Sequence, residues 1–181
     1  MFYKLQLLLL LFIPMLSLAQ ASNPERKIQK VSNDQVQAKF VTGTHQLTLE
    51  AALELTHRAR EAAKSLNKEV SIAIVDASGQ VMALTRGNGV GPHNTEAARR
   101  KAYTSLSTKT PTLLLARNAK ANADTENLVN LPELLLLGGG CPIWHNGQVI
   151  GGIGVAGGDG PENDHNIAKA AAIEDSAILI H

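Results

Sequence analysis

Apolar residues recur at helical spacing from Leu49 to Leu66, where Leu49, Ala52, Leu53, Thr56, Ala59, Ala63 and Leu66 fall on one stripe and predict an amphipathic helix. Thr48 stands where its hydroxyl can cap the first turn, and Glu50 lies where the helix dipole favours an acid. The period then changes to two. Val70, Ile72 and Ile74 alternate with Ser71 and Ala73, as in a half-buried strand, and Asp76-Ala77-Ser78-Gly79 turns the chain into a second strand from Val81 to Thr85. So short a turn requires antiparallel pairing, because parallel strands need a long crossover.

The loop Gly87-Asn88-Gly89-Val90-Gly91-Pro92-His93 leads into a helix expected from Asn94 or Thr95 to about Leu106. Thr110-Pro111 opens a shorter helix that fades near Ala123. Leu134 to Leu137 reads as a short buried strand, followed by Gly138-Gly139-Gly140. Cys141 to His145 and Gln148 to Val155 flank Asn146-Gly147, a strong hairpin signal. After a loop from Gly157 to Asp164, a final helix is expected from His165 to Ile180, capped by Asn163 or Asp164 and packing through Ile167, Ala170, Ala171, Ile173 or Glu174, Ala177 and Ile178. The order α-β-β-α-α-β-β-β-α describes an α+β domain: five strands in an antiparallel sheet, with the Leu49 and His165 helices on one face.

The ends add organisation. Residues 1–21 read as a secretory signal peptide: Lys4, an apolar run from Leu5 to Leu18, then Ala19-Gln20-Ala21 as a small-x-small cleavage pattern. The run is broken by Gln6, Pro14 and Ser17 and is short for a span of about 20 residues, so no stable membrane span is expected after cleavage. The alternative is an uncleaved N-terminal anchor. Residues 22–46 form a polar arm or linker, and 47–181 form the folded domain. The expected location is periplasmic or secreted.

Composition narrows the class. Aromatics make up 3% of the 181 residues, which argues against stacking platforms for single-stranded nucleic acid. Formal net charge is +1, so there is no global field for a polyanion, and no nucleic-acid partner is expected. The single cysteine, Cys141, excludes an intrachain disulfide and a multi-thiolate zinc site, and its Gly140 and Pro142 neighbours suggest burial. Charge is segregated: Arg86, Arg99, Arg100, Lys101, Lys109, Arg117 and Lys120 face one acid, Glu96, whereas the stretch after Lys120 is acid-rich with only Lys169 opposing. The two halves can meet within the fold or across subunits.

Gly152-Ile-Gly-Val-Ala-Gly157 matches a dinucleotide fingerprint, but it lies in a hairpin strand and no second parallel strand follows, so its glycines are read as allowing close approach of backbone or ligand. No G-x-S-x-G elbow and no pair of histidines at i, i+4 is present. His93 and His165 each stand where a glycine-rich loop meets a helix, and both are candidate metal ligands or donors; His57 is a third candidate. His145 is read as a hairpin residue, and His45 and His181 lie near the ends of the core. Lys101 borders the packing face formed by Ala97, Ala98, Ala102 and Leu106, where a lysine either snorkels or clamps an anion beneath the Gly87–Pro92 loop.

Taken together, LTLEAALEL, VSIAIVDASGQVMALTR, RRKAYTS, GGGCPIWHNGQVIGGIGVAGG and ENDHNIAKAAA resemble the GlcG/HbpS family of small haem-binding proteins, which includes the C-terminal domain of PduO-type proteins. The resemblance spans roughly Leu47 to Ile180 and implies a profilin-like three-layer α/β/α sandwich with a five-stranded antiparallel sheet, homo-oligomers, and haem or a related tetrapyrrole as cofactor. Some members are linked to haem degradation or sensing, so membership does not fix an activity. Arg86, Lys101, Gly139, Gly140, Pro142, Gly154 and Asp164 match the family pattern, whereas Gly87-Asn88-Gly89-Val90 departs from the Met-Asp-Gly-Ala-like segment common there. The expected ligand-binding set is Arg86, His93, Arg100, Lys101, Asp164 and His165, with His93 or His165 on iron and the cations near the propionates. Two other classes remain: a cofactor-free enzyme or accessory protein acting on a small organic acid, and a pure oligomeric interaction module.

Overall fold

The computed structural model describes residue 40 and residues 42–181, so the expected signal segment and most of the polar arm lie outside the described residues. Five strands form one antiparallel sheet: β1 (Ser71–Asp76), β2 (Val81–Arg86), β3 (Gly140–His145), β4 (Gln148–Ala156) and β5 (Ile178–Ile180), in the order β2-β1-β4-β3-β5. The helices are α1 (Leu49–Ser65), α2 (Pro92–Thr108), α3 (Thr112–Ala121), a single turn α4 (Ala123–Glu126) and α5 (Pro161–Lys169). Among the described residues, no helix is long and apolar enough to cross a membrane.

Strand periodicity sorts side chains into two layers. Ile72, Ile74, Ile143, Ile153 and Val155 point to one face and pack with Leu55 and Ala59 of α1 and Ile167 and Ala168 of α5. Ala73 and Val75 point to the other face, where Ala98 and Ala102 of α2 cover them. The result is the three-layer α/β/α arrangement, with α1 and α5 on the same face as expected. Thr48 caps α1 by accepting the Ala51 N–H at 3.1 Å. The buried stripe of α1 is rotated from the expected one: Ala52, Leu55, Thr56, Ala59 and Ala63 are buried, while Leu49, Leu53 and Leu66 are exposed. The small residues face the sheet because the helix lies close against it.

Layer α2 is closer still, and glycine is the reason. A Cβ on Gly140, Gly152 or Gly154 would overlap the carbonyl oxygens of Lys101, Ala102 and Ala98 respectively. The nucleotide-like fingerprint is therefore a packing device, with helix backbone seated directly on strand backbone.

Several elements differ from the expectation. Residues 134–137 form no strand. Their backbone is held by side chains of α2 and α3: Arg100 donates to the Pro132 and Leu134 carbonyls, Leu135 N–H donates to Thr104 Oγ1 at 2.8 Å, and Thr112 Oγ1 donates to the Leu137 carbonyl at 2.7 Å. The fifth strand is Ile178–Ile180, read from sequence as part of the last helix. That helix ends at Lys169, Ala177 adopts φ 53°, and the chain reverses to pair Ile180 with Ile143. The α2 helix also starts earlier than expected, with Pro92 in its first turn.

Candidate ligand site

Lys101 and Asp164 meet inside the protein. Lys101 projects from α2 past the end of β4, and its Nζ donates to Asp164 Oδ2 at 2.7 Å and to the Val155 carbonyl at 2.9 Å. Its side chain is 1% exposed and that of Asp164 is 6% exposed. Lys101 thus neither snorkels nor reaches a cleft. Gly139 opens its path: a Cβ there would lie 2.6 Å from Asp164 Cβ and 3.1 Å from Lys101 Nζ. Burial pulls the ammonium below the ordinary lysine value, and the charge and hydrogen bond of Asp164 oppose that pull. The second oxygen, Asp164 Oδ1, accepts the Gly158 N–H at 2.7 Å, so one carboxylate fixes both the lysine and the loop that follows β4.

That loop forms a wall of a cleft. Gly157 joins Glu69, Asn88, Gly89, Val90, Gly91 and Asn94 around a volume of about 280 Å³. The N-terminus of α2 opens beside it with no acid in the first turn, and its free N–H groups and dipole favour an anion. Glu69 supplies the opposing charge, held 3.6 Å from Arg60. His93 is exposed between the lining residues Gly91 and Asn94, with its ring against Gly91, whose Cβ would lie 2.9 Å from His93 Cε1. Arg86 ends β2 as an exposed cation with no ion pair among the described residues.

His165 sits differently. It belongs to α5, on the opposite face of the sheet from α2, and its Nδ1 lies 3.3 Å from Cys141 Sγ. Burial pushes the Cys141 thiol up to about 12, so it stays protonated beside the His165 ring. Burial, with the Lys169 charge next, lowers the His165 imidazole from its ordinary value and keeps it neutral. In the native protein Cys141 is expected to resist iodoacetamide at mildly alkaline pH and to react fully in urea. Equal labelling rates in the two states, read by mass spectrometry, would contradict the burial.

Arg100 is occupied with the 132–134 segment, leaving its Nε buried without a partner among the described residues. The structure therefore brings Lys101 together with Asp164, leaves His93 and Arg86 accessible, and engages the half-buried Arg100 and His165 with the 132–134 backbone and Cys141. The basic and acidic halves of the sequence meet within the fold, through Lys101–Asp164, Arg99–Glu133 and Arg117–Glu162. Sequence reasoning missed Asn94, Glu69 and Gly158. Only Asn94, as a helix-start residue, carried a local signal.

A sequence profile described as "Haem degrading protein HbpS-like" matches residues 47–173. The corrinoid adenosyltransferase PduO of Citrobacter freundii is 31% identical over 150 residues, covering 80% of this chain and 44% of that protein. The chain therefore spans less than half the length of that relative. The crystal structure of an HbpS double mutant from Streptomyces reticuli superposes with a TM-score of 0.68 at 38% identity, covering 72% of this chain and 88% of the other. The structure of a PduOC–haem complex superposes with a TM-score of 0.67 at 29% identity, covering 76% and 99% of the two chains.

Proposed function

The chain belongs to the HbpS-like family, and on that premise we propose that it binds haem, with His93 as the iron ligand. The observation that carries the ligand choice is the contrast between two imidazoles that look alike in sequence. His93 is exposed between Gly91 and Asn94, two residues that line the cleft, whereas His165 is half-buried with its Nδ1 against Cys141 Sγ. Bound haem supplies an iron that takes an imidazole nitrogen and two propionates that take cations or helix N–H groups. Arg86 and the start of α2 are the groups available for the propionates, and Lys101 and Asp164 act behind them by holding the Gly157–Gly158 wall.

The cleft beside His93 falls below the about 300–1,000 Å³ of pockets that enclose drug-sized ligands. The donors fit haem, but the walls of one chain do not enclose it. The proposal therefore includes a homo-oligomer in which a second copy supplies the facing wall. Export belongs to the same proposal, supported by the apolar run and the Ala19-Gln20-Ala21 pattern. The cleft volume favours one second reading, a small carboxylate held at the α2 N-terminus without haem.

Hemin titrated into the purified chain is expected to give a saturable Soret band and a light-scattering mass above that of one chain. His93→Ala is expected to abolish the imidazole-ligated spectrum, and His165→Ala to leave it. The opposite pattern would reassign the ligand. Absence of saturable hemin binding would remove the haem reading and leave the small carboxylate to be tested by thermal shift.

A further inference from the structure

A pair of imidazoles lies apart from this cleft, where the chain enters α1 and meets the β3–β4 hairpin. The rings of His45 and His145 have centroids 5.2 Å apart with planes inclined at 71°. They line a cleft of about 290 Å³ whose other polar walls include Thr48 and Ser176, and whose floor includes Ile150 and Ile178. We propose that His45 and His145 form a binding site for a divalent transition-metal ion of the zinc type.

Geometry is the first support. Two imidazoles on one tetrahedral ion, with metal–nitrogen bonds of about 2.0–2.1 Å, hold their ring centroids about 5 Å apart. The second support is the tautomer of His145. Its Nδ1 lies 3.3 Å from the Ala177 carbonyl, which can only accept, so Nδ1 carries the proton and Nε2 carries the lone pair. A backbone carbonyl on the far nitrogen is the arrangement that orients metal-binding histidines and raises their basicity. Nε2 meets the amide of Asn146 at 3.0 Å. Asn146 is an exposed turn residue, so an arriving cation displaces a single neutral hydrogen bond at the surface.

The donor set selects the ion class. Among the described residues no carboxylate lines the cleft, a donor set that disfavours calcium and magnesium, whereas paired imidazoles suit zinc, copper or nickel. Among the described residues, no group of three or more His, Cys, Asp or Glu side chains is placed to hold a metal ion. The site therefore offers two protein nitrogens and leaves the remaining positions to water or the Ser176 and Thr48 hydroxyls. Such open coordination is that of an exchangeable ion rather than a closed structural one. Bound there, the ion ties the segment before α1 to the β3–β4 hairpin. The site shares no residue with the haem cleft and stands without the haem reading.

The test uses the full chain with Zn²⁺ as the probe. Calorimetry is expected to give one ion per chain, with affinity reduced at least tenfold by either His45→Ala or His145→Ala, and unchanged by His57→Ala. Imidazole nitrogen NMR on the unmodified protein checks the site without any substitution: Zn²⁺ must shift the His45 and His145 resonances first. Absence of binding, shifts confined to other histidines, or undiminished affinity in the double variant would each overturn the proposal.

Discussion

Lys101→Met is expected to destabilise the protein by about 3–5 kcal/mol, the range for removing one partner of a buried ion pair. The loss comes less from the bond than from what remains. Asp164 is 4% exposed, and without the ammonium its charge is left in the interior with the Gly158 N–H as its remaining hydrogen-bond donor. The Val155 carbonyl also loses its Nζ contact. Asp164→Asn is expected to cost a similar amount from the other side, because it strands a buried ammonium while keeping a side-chain oxygen that can accept from Gly158. Joint replacement by Lys101→Met and Asp164→Leu is expected to cost less than the sum of the single changes, since neither charge is then orphaned. Equilibrium urea unfolding measures all three. A loss below about 1 kcal/mol for Lys101→Met is the behaviour of an exposed pair and would contradict the burial. In the functional assay, the same substitution is expected to weaken hemin binding by loosening the Gly157–Gly158 wall, which Lys101 supports through Asp164.

Gly154→Ala is the second large effect. The added methyl would overlap the Ala98 carbonyl oxygen and would also lie 2.7 Å from the Ala102 backbone nitrogen. These are backbone atoms of a helix, so no side-chain rotation relieves the contact. On the other side, β4 is paired with both β1 and β3, so the strand cannot retreat. Overpacking costs about 1–3 kcal/mol where side chains can give way, and here a loss at or above the top of that range is expected. Gly147→Ala is the control: it has open space around its Cβ position and φ +76°, so only local backbone strain of about 1 kcal/mol is expected. Thermal and urea unfolding of the two variants should differ accordingly. Equal stability of Gly154→Ala and Gly147→Ala would mean that α2 does not rest on the glycines of β4.

The sequence by itself determined the elements whose signals are local. The α1 helix follows from a 3.6-residue period and the Thr48 cap, the β1–β2 hairpin from two-residue alternation and a short turn, and the β3–β4 hairpin from Asn146-Gly147. Asn146 and Gly147 do take the positive φ values, 48° and 76°, that their tight turn requires. The same locality explains the failures. Leu134–Leu137 and Ile178–Ile180 are both short apolar runs, and no window around either tells which one becomes a strand. The tertiary structure decides it: β3 has an open edge that Ile178–Ile180 completes, while side chains of α2 and α3 occupy the backbone groups of the 134–137 segment. The site divides in the same way. His93 and His165 have equivalent positions in sequence, each between a glycine loop and a helix, and only packing exposes one and turns the other against Cys141. Lys101 and Asp164 stand 63 residues apart, and their pairing depends on α2 and α5 covering opposite faces of a sheet, with Gly139 leaving room for the lysine at the ends of β3 and β4. Periodicity and turn residues act through neighbours along the chain, whereas burial of a charge and choice of its partner depend on distances that exist only after the layers have closed.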